Sequence, residues 1–473
     1  MPRLTGFPVV PIPGPRPLPV LGHLPRVFQF LQDPVGMVTA LRRHGDVAAV
    51  AEGSPALVCV FGAERNREIL SVPDTFRHDE DFVKGPPGSS IARTRDLLVA
   101  INGEKHKRHR RLMMPAFSKG ALERYATDIV RVAEGMVDKW PYGGEVDLDV
   151  LLRDLALCTA VQTLFGLDVL SGATRLGEAA AEFVVQLTHP LAILAPYDLP
   201  GTPFRKALRL GDELIRAMEG LLAEKRALTE PGNDALAMLV RAVDDDGARF
   251  TDEELMAEAL TLFIAGHETT AKALTWTMFL LERHPDTLAD VLDEVNGVLG
   301  GRSMTAADIP KMPLLDRVVK ESMRVLAPVP ILFLRNSQED QRVGRFTLPK
   351  GANVVVSPYA THHDPERYPD PERFEPSRWE GPEPSVYEYM PFGAGPRICV
   401  GALFAQQSLR LILPTVLSRA RIAVRRNADI SRLTRGNILM PRHGVPVRLE
   451  RAHRRRLRPE PIRGDVREMV SLS

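Results

Sequence analysis

From residue 34 onward, apolar side chains recur mostly at helical spacing. They predict helices at about 120–139, 148–165, 175–190, 203–229, 286–299, 314–326 and 402–418. The strongest pattern covers Asp252–Arg283. Thr251 is a good N-cap, Glu254 completes a capping box three residues on, and His284-Pro285 stops the helix. At ~1.5 Å per residue this helix is about 50 Å long, enough to cross the whole molecule. Strand-like runs are few: Val47–Ala51, Leu57–Phe61, the pair Val343–Leu348 and Asn353–Ser357 around Pro349-Lys350-Gly351, and the region 432–449. Neither an internal repeat nor a low-complexity linker interrupts the pattern. It predicts a mainly α fold with small β-sheets, one domain over residues 34–450, with a segment 1–33 before it and a tail 451–473 after it.

The first 25 residues carry eight prolines, which excludes a signal peptide's apolar core and predicts extended chain laid along a surface. The tail holds seven arginines against three acids and reads as a solvated tail or an interaction arm. Across all 473 residues, 61 Lys+Arg meet 60 Asp+Glu, so net charge gives no reason to expect nucleic acid as a partner. With 44% hydrophobic and 26% charged residues, whole-chain disorder, collagen and a coiled-coil rod are excluded. Three cysteines, Cys59, Cys158 and Cys399, cannot build a disulfide framework and point to a reducing, cytoplasmic setting. No stretch supplies the ~18 consecutive apolar residues of a transmembrane anchor.

The middle of the long helix, Ala265-Gly266-His267-Glu268-Thr269-Thr270, breaks the rules of a core helix. Glycine costs about 1 kcal/mol there, and a glutamate with two threonines interrupts an apolar run. Such local violations inside a well-specified element mark a functional site, the alternative being a solvent-facing polar turn. The zinc-protease pattern fails because Ala271 stands where a second histidine is required. A dinucleotide loop fails at Ile398, which occupies the third glycine position after Gly393 and Gly395.

Chemistry concentrates in Phe392-Gly393-Ala394-Gly395-Pro396-Arg397-Ile398-Cys399-Val400-Gly401, ahead of an apolar helix. A cysteine just before a helix N-terminus sits where amide groups and the helix dipole favour a thiolate. The glycines let the backbone pass close to something flat and bulky, and Arg397 adds a fixed charge. Read alone, this is a single-thiolate metal or cofactor ligand, against the bland alternative of a buried inert cysteine.

This loop resembles that of the cytochrome P-450 family, the haem-thiolate monooxygenases. The resemblance extends over roughly residues 10–450: Ala265–Thr270 is similar to the oxygen-activating helix motif, Glu321-Ser322-Met323-Arg324 to the Glu-x-x-Arg helix, and Tyr368–Phe374 to the proline-rich meander. It implies a single-domain P-450 fold with a long central distal helix and a proximal cysteine loop. The implied cofactor is haem b (iron protoporphyrin IX), ligated by Cys399, with Phe392 beside the sulfur, Gly401 closing the loop, and Gly266 leaving room for oxygen where the helix can bulge. His106, Arg110, Arg335 and Arg397 are assigned to the propionates. Glu268 and Thr269 are assigned to proton delivery on the distal side, and Glu321, Arg324 and Arg373 to a structural triad.

Implied substrate contacts are Phe82, Phe263, Ala265, Val329, Ile331 and Leu439, in segments whose apolar character points to a terpenoid, fatty acid or polyketide. Electrons are expected indirectly from NAD(P)H, through a ferredoxin or flavodoxin-type donor with its reductase, since three cysteines cannot both hold a cluster and bind haem. Lys105, Lys107, Arg108 and Arg111 would offer that donor a positive surface. His362 and His363 are read as structural. Two competing functions are a haem-thiolate isomerase, dehydratase or peroxygenase that needs no external electrons, and a non-catalytic haem sensor.

Overall fold

The computed structural model describes residues 10–18, 21–78, 85–167, 179, 182–183, 185–187, 189, 191–192, 196–227, 232–452 and 458–472. Its described helices are α1 (Leu24–Gln32), α2 (Pro34–Leu41), α3 (Ala63–Leu70), α4 (Ser90–Arg93), α5 (Gly103–Met113), α6 (Lys119–Val137) and α7 (Leu148–Phe165). They continue as α8 (Pro203–Ala227), α9 (Ala235–Arg241), α10 (Asp252–Arg283), α11 (Pro285–Leu299), α12 (Pro313–Val325), α13 (Pro358–His362) and α14 (Ala402–Arg419). Most of the predicted helix at 175–190 lies outside the described residues.

Helix α10 has the predicted ends. Thr251 Oγ1 accepts from the Glu254 amide at 3.2 Å, and Glu254 Oε2 accepts from the Thr251 amide at 2.9 Å. Its second half is buried on every side, so it runs through the core and not over it. It packs most extensively on α7 and also meets α8, α12 and α14. Helix α1 was not anticipated. Pro25 does not prevent it, because the first turn needs no N–H from that residue.

The β elements are short. Strands β1 (Val47–Ala49), β2 (Val58–Val60), β3 (Phe76–His78), β5 (Arg335–Ser337) and β8 (Asn353–Val356) form one sheet in the order β1-β2-β8-β5-β3. Of the proline-rich segment, residues 10–18 are described and lie along it. Val10 and Ile12 are buried, and the Ala49 amide donates to Pro13 O at 2.8 Å. Strands β4 (Glu145–Asp147), β9 (Ala420–Val424) and β12 (Pro446–Arg451) form a second sheet, and β10 (Arg432–Arg435) pairs with β11 (Ile438–Pro441).

Two expectations need correction. The run Val343–Leu348 does not pair across Pro349–Gly351 with Asn353–Ser357. It is itself folded into a hairpin, β6 (Gln341–Val343) with β7 (Phe346–Leu348), because Gly344 takes φ +56° and turns the chain. The tail, over residues 458–472, is not a solvated arm. Ile462, Val466, Met469 and Val470 are buried against the body.

Candidate functional site

The cysteine loop is held by its own backbone. Gly393 N–H donates to Met390 O at 3.0 Å, Ile398 N–H to Gly395 O at 3.0 Å, and Cys399 N–H to Phe392 O at 2.9 Å. Gly395 has φ +72°, and a Cβ there would lie 2.3 Å from Leu70 O, so no other residue fits. Gly401 sits just before α14, and a Cβ built there would lie 3.8 Å from the Phe117 ring and 4.0 Å from Cys399 Sγ. Cys59 and Cys158 are buried, whereas Cys399 is exposed, although protein surrounds it. Burial raises its thiol pKa, against the Gly401 amide and the Arg110 charge, which favour thiolate.

Around this loop lies a cage of basic groups. The antiparallel register of β3 and β5 sets His78 directly opposite Arg335. His106 and Arg110 stand one turn apart on α5, the first buried and the second half-buried. Arg110 Nη1 donates to Ile398 O at 2.6 Å, and Arg397 Nη2 donates to Ile101 O at 2.7 Å and Asn102 Oδ1 at 2.5 Å. Burial and the Arg397 charge push Arg335 down to about 9. Burial, then Arg397, Arg110 and Arg335, lower His106 to about 3.

Among the described residues no carboxylate pairs with Arg110 or Arg335, and the buried atoms Arg335 Nε and His78 Nε2 have no partner. Buried cations without counter-charge are costly. This set therefore fits a dianionic group with two carboxylates, beside a thiolate donor able to take a metal. The residues fit haem. No group of three or more His, Cys, Asp or Glu side chains among the described residues offers an alternative metal site.

Helix α10 borders the same space. The Leu98 amide donates to Thr261 Oγ1 at 3.3 Å, while Leu98 O accepts from Arg397 at 3.4 Å. Between residues 261 and 270 accessible surface remains at Thr261, Ile264, Ala265, Gly266, Glu268 and Thr269. All but Gly266 fall at i, i+3, i+4, i+7 and i+8, a single helix stripe. Glu268 and Thr269 thus share a face.

Thr269 Oγ1 bonds back to Ala265 O at 3.2 Å. Glu268 Oε1 lies 3.0 Å from Lys272 Nζ, which also donates to both oxygens of Asp149 on α7 at 2.8 and 2.7 Å. Glu268 Oε2 is buried and has no partner among the described residues. The bulge expected at Gly266 is absent. A Cβ there would meet Leu164 Cδ1 of α7 at 2.9 Å, so the missing side chain lets two helices approach, and the helix carries no bulge.

Glu321 and Arg324 are fully buried and paired through two bonds of 2.9 Å. Arg324 also donates to the carbonyls of His362, Pro371 and Arg373 at 2.8, 2.7 and 3.0 Å. Arg373 enters only through that carbonyl, and its residue is exposed. The guanidinium facing Glu321 is that of Arg378, with Nε at 3.3 Å from Oε1, and Trp379 Nε1 donates to Oε2 at 3.0 Å. The correction has a simple cause. Phe374 is buried, so its neighbour Arg373 turns outward, whereas the 3₁₀ turn Pro376–Glu380 folds Arg378 back onto α12. A second arginine–aromatic pair, Arg378-Trp379, was the overlooked signal.

Of the substrate positions, Phe82 lies outside the described residues. Ala265 is exposed on the stripe, and Val329 is partly accessible. Phe263, Ile331 and Leu439 are packed in the core instead. Phe263 stacks edge-on against Phe165 of α7, and Leu439 is fully buried, with its carbonyl accepting from Trp276. Apolar residues lining a cavity and apolar residues filling a core look alike in sequence. On the face proposed for donor docking, Lys105 pairs with Asp96, Lys107 with Glu104, and Arg108 with Asp244 and Glu254, while Arg111 is exposed. His362 is structural, its Nε2 accepting from the Met390 amide at 2.9 Å. Sequence reasoning missed His78, Lys272 and Asp149, which only strand register and helix packing bring to the site.

The family model for cytochrome P-450 matches residues 12–448. The chain is 31% identical over 439 residues to the pentalenene oxygenase of Streptomyces avermitilis, covering 91% of this chain and 95% of the other. It is 30% identical over 420 residues to the cyclooctat-9-en-7-ol 5-monooxygenase of Streptomyces melanosporofaciens, covering 86% and 89%. Among solved structures, retinoic acid-bound cyanobacterial CYP120A1 superposes with a TM-score of 0.81 at 26% identity, over 94% of this chain and all of that one. Among the described residues no helix is long and apolar enough to cross a membrane.

Proposed function

The chain belongs to the cytochrome P-450 family and is a monooxygenase, and on that premise we propose that it hydroxylates or epoxidises a carbocyclic terpenoid. The substrate class rests on relatives named for acting on pentalenene and on cyclooctat-9-en-7-ol. The observation that carries the haem assignment is the basic cage beside Cys399, in which buried Arg335 and half-buried Arg110 have no carboxylate partner among the described residues.

Cys399 would ligate the haem iron through its thiolate, and His106, Arg110, Arg335 and Arg397, joined by His78, would hold the two propionates. When bound, haem b supplies oxygen activation at a thiolate-ligated iron. Thr269 and Glu268 hold and pass protons along the accessible stripe of α10. Lys272 fixes one Glu268 oxygen and leaves Oε2 as the proton-accepting end. Ile264, Ala265 and Val329 present apolar surface to the substrate. Two electrons arrive from NAD(P)H through a separate ferredoxin- or flavodoxin-type donor with its reductase.

The test is a reconstituted electron chain supplied with cyclic terpene hydrocarbons. A substrate-induced spin-state shift, substrate-dependent NAD(P)H use and incorporation of label from isotopic O2 are expected. Turnover without reductant, or product lacking the label, would replace this reading with an isomerase or dehydratase.

A further inference from the structure

The family match ends at residue 448, yet residues 458–472 return to the body and are fastened there. Ile462, Val466, Met469 and Val470 supply the buried side of this segment. Its backbone forms two bridges, Asp429 with Arg463 and Arg373 with Ser471. The Arg432 amide donates to Asp465 Oδ1 at 2.6 Å, and its guanidinium reaches Asp465 at 3.2 Å and Glu468 at 3.7 Å.

What the segment holds is more telling than how it is held. The Ser471 amide donates to Glu372 O at 2.7 Å. Glu372 stands between Pro371 and Arg373, whose carbonyls both receive Arg324. The third carbonyl on Arg324 is that of His362, and the His362 ring receives the Met390 amide. Met390 O then receives Gly393 N–H, and Phe392 O receives Cys399 N–H. Hydrogen bonds and single residues thus run without a gap from Ser471 through Arg324 to the cysteine loop. A second contact lies alongside. The neutral ring of His363, lowered to about 3 by burial and the Arg324 charge, sits between Tyr359 O at 3.0 Å and Met469 O at 3.2 Å and donates to one of them.

We propose that residues 458–472 form a positioning strap for the Cys399 loop. By fixing Glu372 they set the carbonyls that orient Arg324, and through His362 and Met390 they keep the loop in place beneath the basic cage. The inference rests on the haem-thiolate reading for its purpose, but not for its test.

Ser471→Pro removes the N–H while Ser471→Ala keeps it. Val466→Asp combined with Val470→Asp undocks the strap by placing charges in its buried side. Amide exchange at Met390, Gly393 and Cys399, read in the full chain with and without haem, should speed up about tenfold in Ser471→Pro and in the double variant, and not in Ser471→Ala. Exchange in the sheet β4-β12-β9 should stay unchanged. In the same two variants the reduced carbon monoxide complex should lose its red-shifted Soret band faster than wild type. Unchanged loop exchange, or a uniform rise across the whole molecule, would overturn the strap. A wild-type protein lacking the red-shifted band would count against haem-thiolate ligation instead, while the exchange comparison still decides the strap.

Discussion

Replacing Arg378 and Arg373 separately by alanine should give very different results, although the two lie five residues apart in one proline-rich stretch. Arg378 is 13% exposed; its Nε is 3.3 Å from the fully buried Glu321, and its Nη2 donates to Asp370 O at 2.9 Å. A charge-assisted bond contributes about 1.5–3 kcal/mol, and this one is long, so the lower end applies. The bond to Asp370 O is exposed and adds a few tenths, giving about 2 kcal/mol, or roughly a 30-fold change in the folded-to-unfolded ratio. Arg373→Ala leaves its carbonyl, the group through which it meets Arg324, in place. As a change to an exposed side chain it should stay within about 0.5 kcal/mol. Urea unfolding followed by far-UV circular dichroism at constant slope measures both. Arg378→Lys, which keeps the charge but not the fork, should fall between them. A loss in Arg373→Ala equal to or larger than that in Arg378→Ala would refute the assignment of the third member of the Glu321 cluster.

Other outcomes follow from the same geometry. Lys272→Met leaves Asp149 and Glu268 without their shared cation in a buried setting and should cost about 3–5 kcal/mol, with part of the loss restored by adding Asp149→Asn; thermal unfolding of the single and double variants checks this. Arg335→Leu and Arg110→Leu should each raise the rate of haem transfer to an acceptor protein about tenfold, while Lys107→Ala, paired at the surface with Glu104, should not. His106, at about 3 in the folded chain against an ordinary 6.5, binds fewer protons folded than unfolded, so its stability contribution is complete above 6.5 and is lost as pH falls toward 3. Unfolding of the haem-free protein between those limits should therefore steepen with acid, and His106→Gln should remove up to ~1.4 kcal/mol per pH unit of that slope. An unchanged slope would show that His106 is not the group involved.

Features written in contiguous residues were legible in the sequence. The capping box and stop of α10, the glycine-rich approach to Cys399 and the pairing of Glu321 with Arg324 are each set within one or two turns of chain, where local physics decides. Features requiring distant segments were not. His78 meets Arg335 only through the register of β3 on β5, and Asp149 reaches Lys272 only because α7 packs on α10. The close approach of Leu164 to Gly266 was not legible either, since a glycine announces close approach but not what approaches. The ion pairs of the basic run on α5 were likewise not legible, because most of its acidic partners, Asp96, Asp244 and Glu254, lie outside that helix. The tail looked solvated because its arginines outnumber its acids, while the four apolar residues that dock it are spread over nine positions.

The central claim is that Cys399 is the thiolate ligand of a haem held by the surrounding basic cage. The most direct measurement is the absorption spectrum of the reduced carbon monoxide complex, taken on the wild-type chain and on Cys399→Ser. A red-shifted Soret band in the first and its loss in the second is the predicted result. A band retained in Cys399→Ser, or absent from wild type reconstituted with haem, would contradict it.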